Sequence, residues 1–223
     1  MDMRLFMRAI GRFAAGVLLV ALLLFIPAGS LDYWQGWLLM GVLFIPMFFA
    51  GVVMLLRSPE LLRKRLNVRE REGEQRRAVA LSAVMFASAF IVAGLNARFG
   101  WLNLPPWVSW AAASVFMAGY CMYAEVLREN AFLSRTVEVQ KNQRVIDTGL
   151  YGVVRHPMYA ATLLLFFSMP LILGSPLSLA IMLLYIPIIE VRIRNEERVL
   201  ERDLPGYAAY RRKVKYKMIP HIW

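Results

Sequence analysis

The chain has 223 residues, of which 59% are hydrophobic and 18% charged, with a mean hydropathy of +0.52 and a formal net charge of +11. A composition this apolar cannot clothe a single soluble domain in polar surface, which excludes an ordinary soluble enzyme. The positive charge speaks for anionic headgroups rather than nucleic acid, because the basic residues flank long uncharged runs that only a lipid phase explains.

The uncharged runs cover residues 13–31, 33–56, 78–97, 99–124 and 156–189. A spanning helix needs roughly 20 apolar residues, so each of the first four predicts one transmembrane helix. Arg4, Arg8 and Arg12 before the first run, with Pro27, Ala28 and Gly29 at its end, imitate a signal peptide. Cleavage is not expected, because further spans follow. The segment 57–77 holds Arg57, Arg63, Lys64, Arg65, Arg69, Arg71, Arg76 and Arg77, whereas the segments after the first and third spans hold only Asp32 and Arg98. The positive-inside rule then places 57–77 in the cytosol, together with the N-terminus and the 125–155 segment. The lone cysteine, Cys121, falls in the fourth span and permits no internal disulfide.

The fifth run, 156–189, has 34 residues. As one helix it would extend about 51 Å, too long for a hydrocarbon core of ~30 Å even with tilt. It is predicted to fold back as a hairpin of two short arms over 157–189, turning at Leu173, Gly174, Ser175 and Pro176, where Gly tolerates positive φ and Pro opens a helix. The hairpin also keeps the basic tail (Arg211, Arg212, Lys213, Lys215, Lys217) cytosolic, so length and charge agree. The expected fold is therefore all-α: a polytopic bundle of four spans plus a C-terminal helical hairpin, with both termini cytosolic. Residues 1–127 would form the membrane-anchoring part and 128–223 the functional part.

No dinucleotide fingerprint and no phosphate loop is present, and His156 and His221 alone cannot make a histidine-rich metal centre; no metal is expected. The five runs contain no Asp, Glu, Lys or Arg, which disfavours a proton-coupled transporter. Two polar clusters remain, one on each side of the hairpin. In the first, Asp147, Thr148 and Gly149 predict a turn, and Pro157 opens the next helix, leaving His156 at its N-terminus, where unpaired N–H groups and the helix dipole favour an anion. In the second, Glu190, Arg194, Glu197 and Glu201 share one helix face, as do Tyr207 and Tyr210. Interfacial anchoring would account for Arg155, His156, Tyr159 and the tyrosine pair equally well. The hairpin nonetheless brings both clusters to one membrane surface, where a pocket meets water and lipid together.

The ordered set Gly149, Tyr151, Arg155, His156, Pro157 and Tyr159, then Arg194, Glu196 and Glu197, then Gly206, Tyr207 and Tyr210, resembles the isoprenylcysteine carboxyl methyltransferase and phospholipid methyltransferase superfamily over about residues 128–223. The resemblance implies an S-adenosylmethionine site, S-adenosylhomocysteine being the product. It assigns Gln140, Gln143, Arg144, Val145, Ile146, Tyr151, Arg155, His156, Pro157, Met158, Tyr159 and Glu197 to the cofactor. Arg194, Tyr207 and Tyr210 fall to the substrate, and Arg194 and Glu196 to catalysis; the spacing from Arg194 to Glu197 is one residue shorter than the eukaryotic pattern. A carboxylate acceptor would need only a cation to position it, whereas an amine would first lose a proton, for which Glu196 is the candidate base. The expected substrate is a membrane lipid or a prenylated small molecule, methylated at the cytosolic face of a bacterial inner membrane. A sterol-reductase-like NADPH enzyme and a non-catalytic lipid-binding protein are the alternatives.

Overall fold

The computed structural model describes residues 3–66, 73–130, 132–133 and 139–223, and all its regular structure is helical. Arg69 and Arg71 of the basic segment lie outside the described residues. Helices α1 (Met3–Ala28), α2 (Trp34–Arg57), α4 (Gly73–Phe99) and α5 (Pro106–Glu129) are long and apolar enough to cross a bilayer; the short α3 (Pro59–Leu66) follows α2. α1 takes in Arg4, Arg8 and Arg12, since arginine is a good helix former and a helix need not stop where the lipid does. The fourth span begins later than its uncharged run. Gly100 sits at φ +63°, and Pro106 opens α5 behind Pro105, so backbone chemistry delays the helix although the sequence stays apolar.

The C-terminal hairpin is present, but its arms are unequal. α6 (Pro157–Ile172) turns at Gly174, φ +68°, and the Ser175 hydroxyl accepts the N–H of Ser178 at 3.3 Å to cap α7 (Pro176–Met182). After a break at residues 183–184, α8 (Tyr185–Asp203) carries the second arm far beyond Ile189. The two short arms expected from the uncharged run are thus one short arm and one long one, because Glu, Arg and Leu continue a helix beyond the apolar stretch. The hairpin tip reaches the opposite end of the bundle: Tyr33 donates to the carbonyl of Leu173 at 2.7 Å, and the Leu104 N–H to that of Gly174 at 3.3 Å. A last helix, α9 (Tyr207–Lys213), precedes the tail.

Two apolar clusters hold these elements. Leu24, Leu39, Phe44, Phe90, Phe116, Leu165 and Ile172 join α1, α2, α4, α5 and α6. Met85, Ala89, Tyr159, Leu163, Met182, Ile189, Ile193 and Met218 join α4 to the hairpin and the tail. Outward residues such as Leu18, Leu22, Ile26, Phe49 and Val84 remain exposed, as a lipid-facing surface requires. Glycine permits the closest approaches: a Cβ at Gly94 would stand 2.5 Å from the Leu24 carbonyl oxygen and 3.0 Å from Pro27 Cβ, and one at Gly119 would stand 3.1 Å from Leu165. Gly94→Leu should therefore separate α1 from α4 and cost about 1–3 kcal/mol. Thermal unfolding in detergent would check this; an unchanged midpoint would mean that the two helices do not pack there.

Candidate functional site

Segment 139–156 crosses from α5 to α6 and is shaped by backbone conformation. Gly149, at φ +50°, opens a 3-10 turn (Gly149–Gly152), where the Thr148 carbonyl accepts the N–H groups of Tyr151 (3.0 Å) and Gly152 (3.2 Å). The segment then meets the C-terminal tail as a short ladder: Arg155 N–H donates to the Tyr216 carbonyl at 3.0 Å and His156 N–H to that of Lys217 at 2.8 Å. The Tyr210 hydroxyl donates to the Tyr151 carbonyl at 2.8 Å. An exposed pair, Lys213 with Asp147 at 2.9 Å, adds little.

At the centre lies a buried charge cluster. Arg155, 7% exposed, donates from Nε to Glu197 Oε1 at 2.7 Å and from Nη1 to the carbonyls of Val214 (2.9 Å) and Lys215 (2.7 Å). His156 Nε2 stands 3.1 Å from the same Glu197 oxygen, and its ring stacks on Tyr159 at 5.7 Å. One guanidinium thus fastens the start of α6 to α8 and to the tail. Burying charges is costly unless every partner is present, and here the carboxylate, two carbonyls and the imidazole supply them.

Beside this cluster opens a cavity of about 100 Å³. Gln143, Arg144, Val145, Ile146 and Tyr151 line one side, Arg155 through Tyr159 another, and Glu196, Tyr207 and Tyr210 a third. The remaining predicted residues stand elsewhere. Glu197 lies behind the wall, engaged with Arg155 and His156. Gln140 braces the loop, donating to the Phe132 carbonyl and taking the Gln143 side chain on its own N–H at 2.8 Å. Arg194 is on the outer face of α8, its side chain 69% exposed and paired with Glu190 at 2.6 Å.

Sequence reasoning passed over Asn130, Phe132, Leu133, Leu200 and Leu204 in the cavity wall. The last two continue the helical stripe of Glu196 at a spacing of four, the one signal that was available. It also passed over Arg192, whose guanidinium comes within hydrogen-bonding reach of the Tyr159 hydroxyl; that hydroxyl also donates to Glu196 Oε2 at 2.6 Å. The Tyr207 hydroxyl is buried in the cavity wall with no hydrogen-bond partner among the described residues. Burial, reinforced by the Glu197 and Glu196 carboxylates, pushes its pKa well up, so it stays a protonated donor. An unpartnered buried donor carries a desolvation cost that a bound acceptor would relieve.

Glu197→Ala should strand the Arg155 charge in a dry site and cost about 3–5 kcal/mol. Arg155→Lys should recover little of a site built for a forked donor, since an ammonium cannot span the carboxylate and both carbonyls. Unfolding midpoints of the two variants would test this; a Glu197→Ala midpoint within a degree of the unaltered chain would contradict it.

Residues 107–205 match the family model described as phospholipid methyltransferase, a stretch that runs from α5 to just past α8 and includes the whole cavity lining except Tyr207 and Tyr210. No curated protein matches the chain. Among solved structures, the fold is similar to the eukaryotic intramembrane Ras methyltransferase, an isoprenylcysteine carboxyl methyltransferase, determined without a monobody. The TM-score is 0.61 at 22% identity, covering 96% of this chain and 77% of that one. Together with the membrane-spanning helices, the family match over residues 107–205 and the shared fold support the superfamily of the phospholipid and isoprenylcysteine carboxyl methyltransferases, which are integral membrane methyltransferases.

Proposed function

We propose that the chain transfers a methyl group from S-adenosylmethionine to a carboxylate or amine on a lipid-embedded or prenylated molecule, at the cytosolic face of a bacterial inner membrane. The observation that carries this reading is the pairing, in one cavity, of the unpartnered Tyr207 hydroxyl with the Glu196 carboxylate, beside the N-terminus of α6. A zwitterionic amino-acid group that also bears a positive centre needs that combination of acceptor, donor and helix end. The cofactor supplies a methyl on a sulfonium, which passes in line to a nucleophile while the bonding electron pair returns to sulfur.

The protein's part is alignment and exclusion of water. Residues 143–146 and Tyr151 would hold the cofactor from the water side, and His156 through Tyr159 from the membrane side. The aliphatic chain of the acceptor would lie among the apolar side chains of α6 and α8. For an amine, Glu196 would take the proton before transfer. For a carboxylate, Arg192, whose charge acts on the Tyr159 hydroxyl, would orient it, whereas Arg194 is exposed and paired with Glu190. The exposed Arg212 and Lys215 of the tail would face anionic headgroups, each contributing roughly 1 kcal/mol.

Titration of S-adenosylmethionine into the detergent-purified chain should show saturable binding. His156→Ala, Glu196→Gln and Tyr207→Phe should each weaken it by about tenfold, while Arg194→Ala leaves it unchanged. Binding unaltered in the first three variants would overturn the site, and saturable NADPH binding without S-adenosylmethionine binding would overturn the function.

A further inference from the structure

The Tyr151 wall of the cavity is held from the membrane helix as well as from the tail. α5 ends at Glu129, and Glu129 Oε2 accepts the N–H of Leu150 at 3.1 Å. The rest of the carboxylate fills the space over Gly149, where any Cβ would collide with it. Gly149 is therefore required twice, for its φ of +50° and for the room it leaves. The next residue, Asn130, donates from Nδ2 to the Tyr151 hydroxyl at 3.0 Å and accepts the Phe132 N–H at 3.0 Å. With the Tyr210 hydroxyl on the Tyr151 carbonyl, the 3-10 turn is gripped on two sides, by α5 and by α9.

The placement of Glu129 runs against the helix that carries it. A carboxylate in the last turn faces the negative end of the helix dipole, where a cation is preferred. Helix stability does not account for an acid there, whereas a hydrogen bond to a neighbouring turn does. The turn it holds ends in a ring that forms part of the cavity wall.

We propose that Glu129 is a positioning residue: by anchoring the Gly149–Gly152 turn to the end of α5, its carboxylate fixes the Tyr151 wall against which the cofactor binds. The inference rests on the S-adenosylmethionine reading of the cavity. Glu129 touches no ligand itself and acts through Leu150 and Tyr151. Because α5 is a membrane-spanning helix, the same bond ties the cofactor wall to the bundle.

The test compares the full chain in lipid nanodiscs with Glu129→Ala, Glu129→Gln and Gly149→Ala, reading S-adenosylhomocysteine affinity by calorimetry and backbone hydrogen exchange over residues 149–152. Glu129→Gln keeps an oxygen for the Leu150 N–H and should stay within about twofold of the unaltered chain in both readouts. Glu129→Ala should lose about tenfold in affinity and exchange about tenfold faster at Leu150 and Tyr151, with little change in unfolding midpoint. Gly149→Ala should weaken binding alone, and should add less to Glu129→Ala than it costs by itself, since the methyl then meets no carboxylate and only the strain of the positive φ remains. Equal losses in Glu129→Ala and Glu129→Gln would overturn the positioning role, as would Glu129→Ala with unchanged affinity and exchange. If the unaltered chain binds no S-adenosylhomocysteine, the cofactor reading fails, and the exchange readout alone decides whether Glu129 holds the turn.

Discussion

The site depends on one buried interaction, the fork of Arg155 closed on Glu197 and on the carbonyls of Val214 and Lys215. Three pieces of chain far apart in sequence meet there: the start of α6, the middle of α8, and the tail. An arginine out of water tolerates few arrangements, because each unmet donor costs more than a typical packing contact contributes. That intolerance gives the cluster its organising force. Once the guanidinium is satisfied, the backbone of Arg155 and His156 lies along that of Tyr216 and Lys217, and the cavity lies beside them.

The hairpin makes this meeting possible. Its tip bonds to the connections around Tyr33 and Leu104, so both arms cross the depth of the bundle and return the chain to the level of residues 143–156. The long arm brings Glu196 and Leu200 to the cavity from one side, while α9 brings Tyr207 and Tyr210 from another. Apolar helices and a polar loop thus share one cavity. A methyltransferase whose acceptor is held in lipid needs such an arrangement, because the nucleophile and a water-soluble methyl donor must meet without bulk water between them.

The bilayer made the broad fold legible in the sequence, since each span demands a long uncharged run, and Gly174, Ser175 and Pro176 marked the turn by their backbone chemistry. Helix ends were less legible. Gly100 and Pro105 delayed α5 within an apolar stretch, and α8 ran on through charged residues that gave no reason to stop. Side-chain direction was harder still. Neighbouring residues on a helix differ by about 100°, so Glu196 faces the cavity while Glu197 turns behind it. Two residues carry the direction through about 200°, which sets Arg192 toward Tyr159 and Arg194 toward solvent. The ladder between residues 155–156 and 216–217 left no mark in the sequence, because backbone hydrogen bonds do not depend on which side chains are present.

The most direct measurement is an experimental structure of the chain in nanodiscs with S-adenosylhomocysteine. The account predicts one ligand molecule bounded by residues 143–146, Tyr151, the His156–Tyr159 turn and the Tyr207 hydroxyl, with Arg155 and Glu197 still joined beside it. A ligand in the crevice at the hairpin tip, lined by Asp32, Gln35, Asn96 and Asn103, or a cavity left empty at saturating ligand, would contradict it.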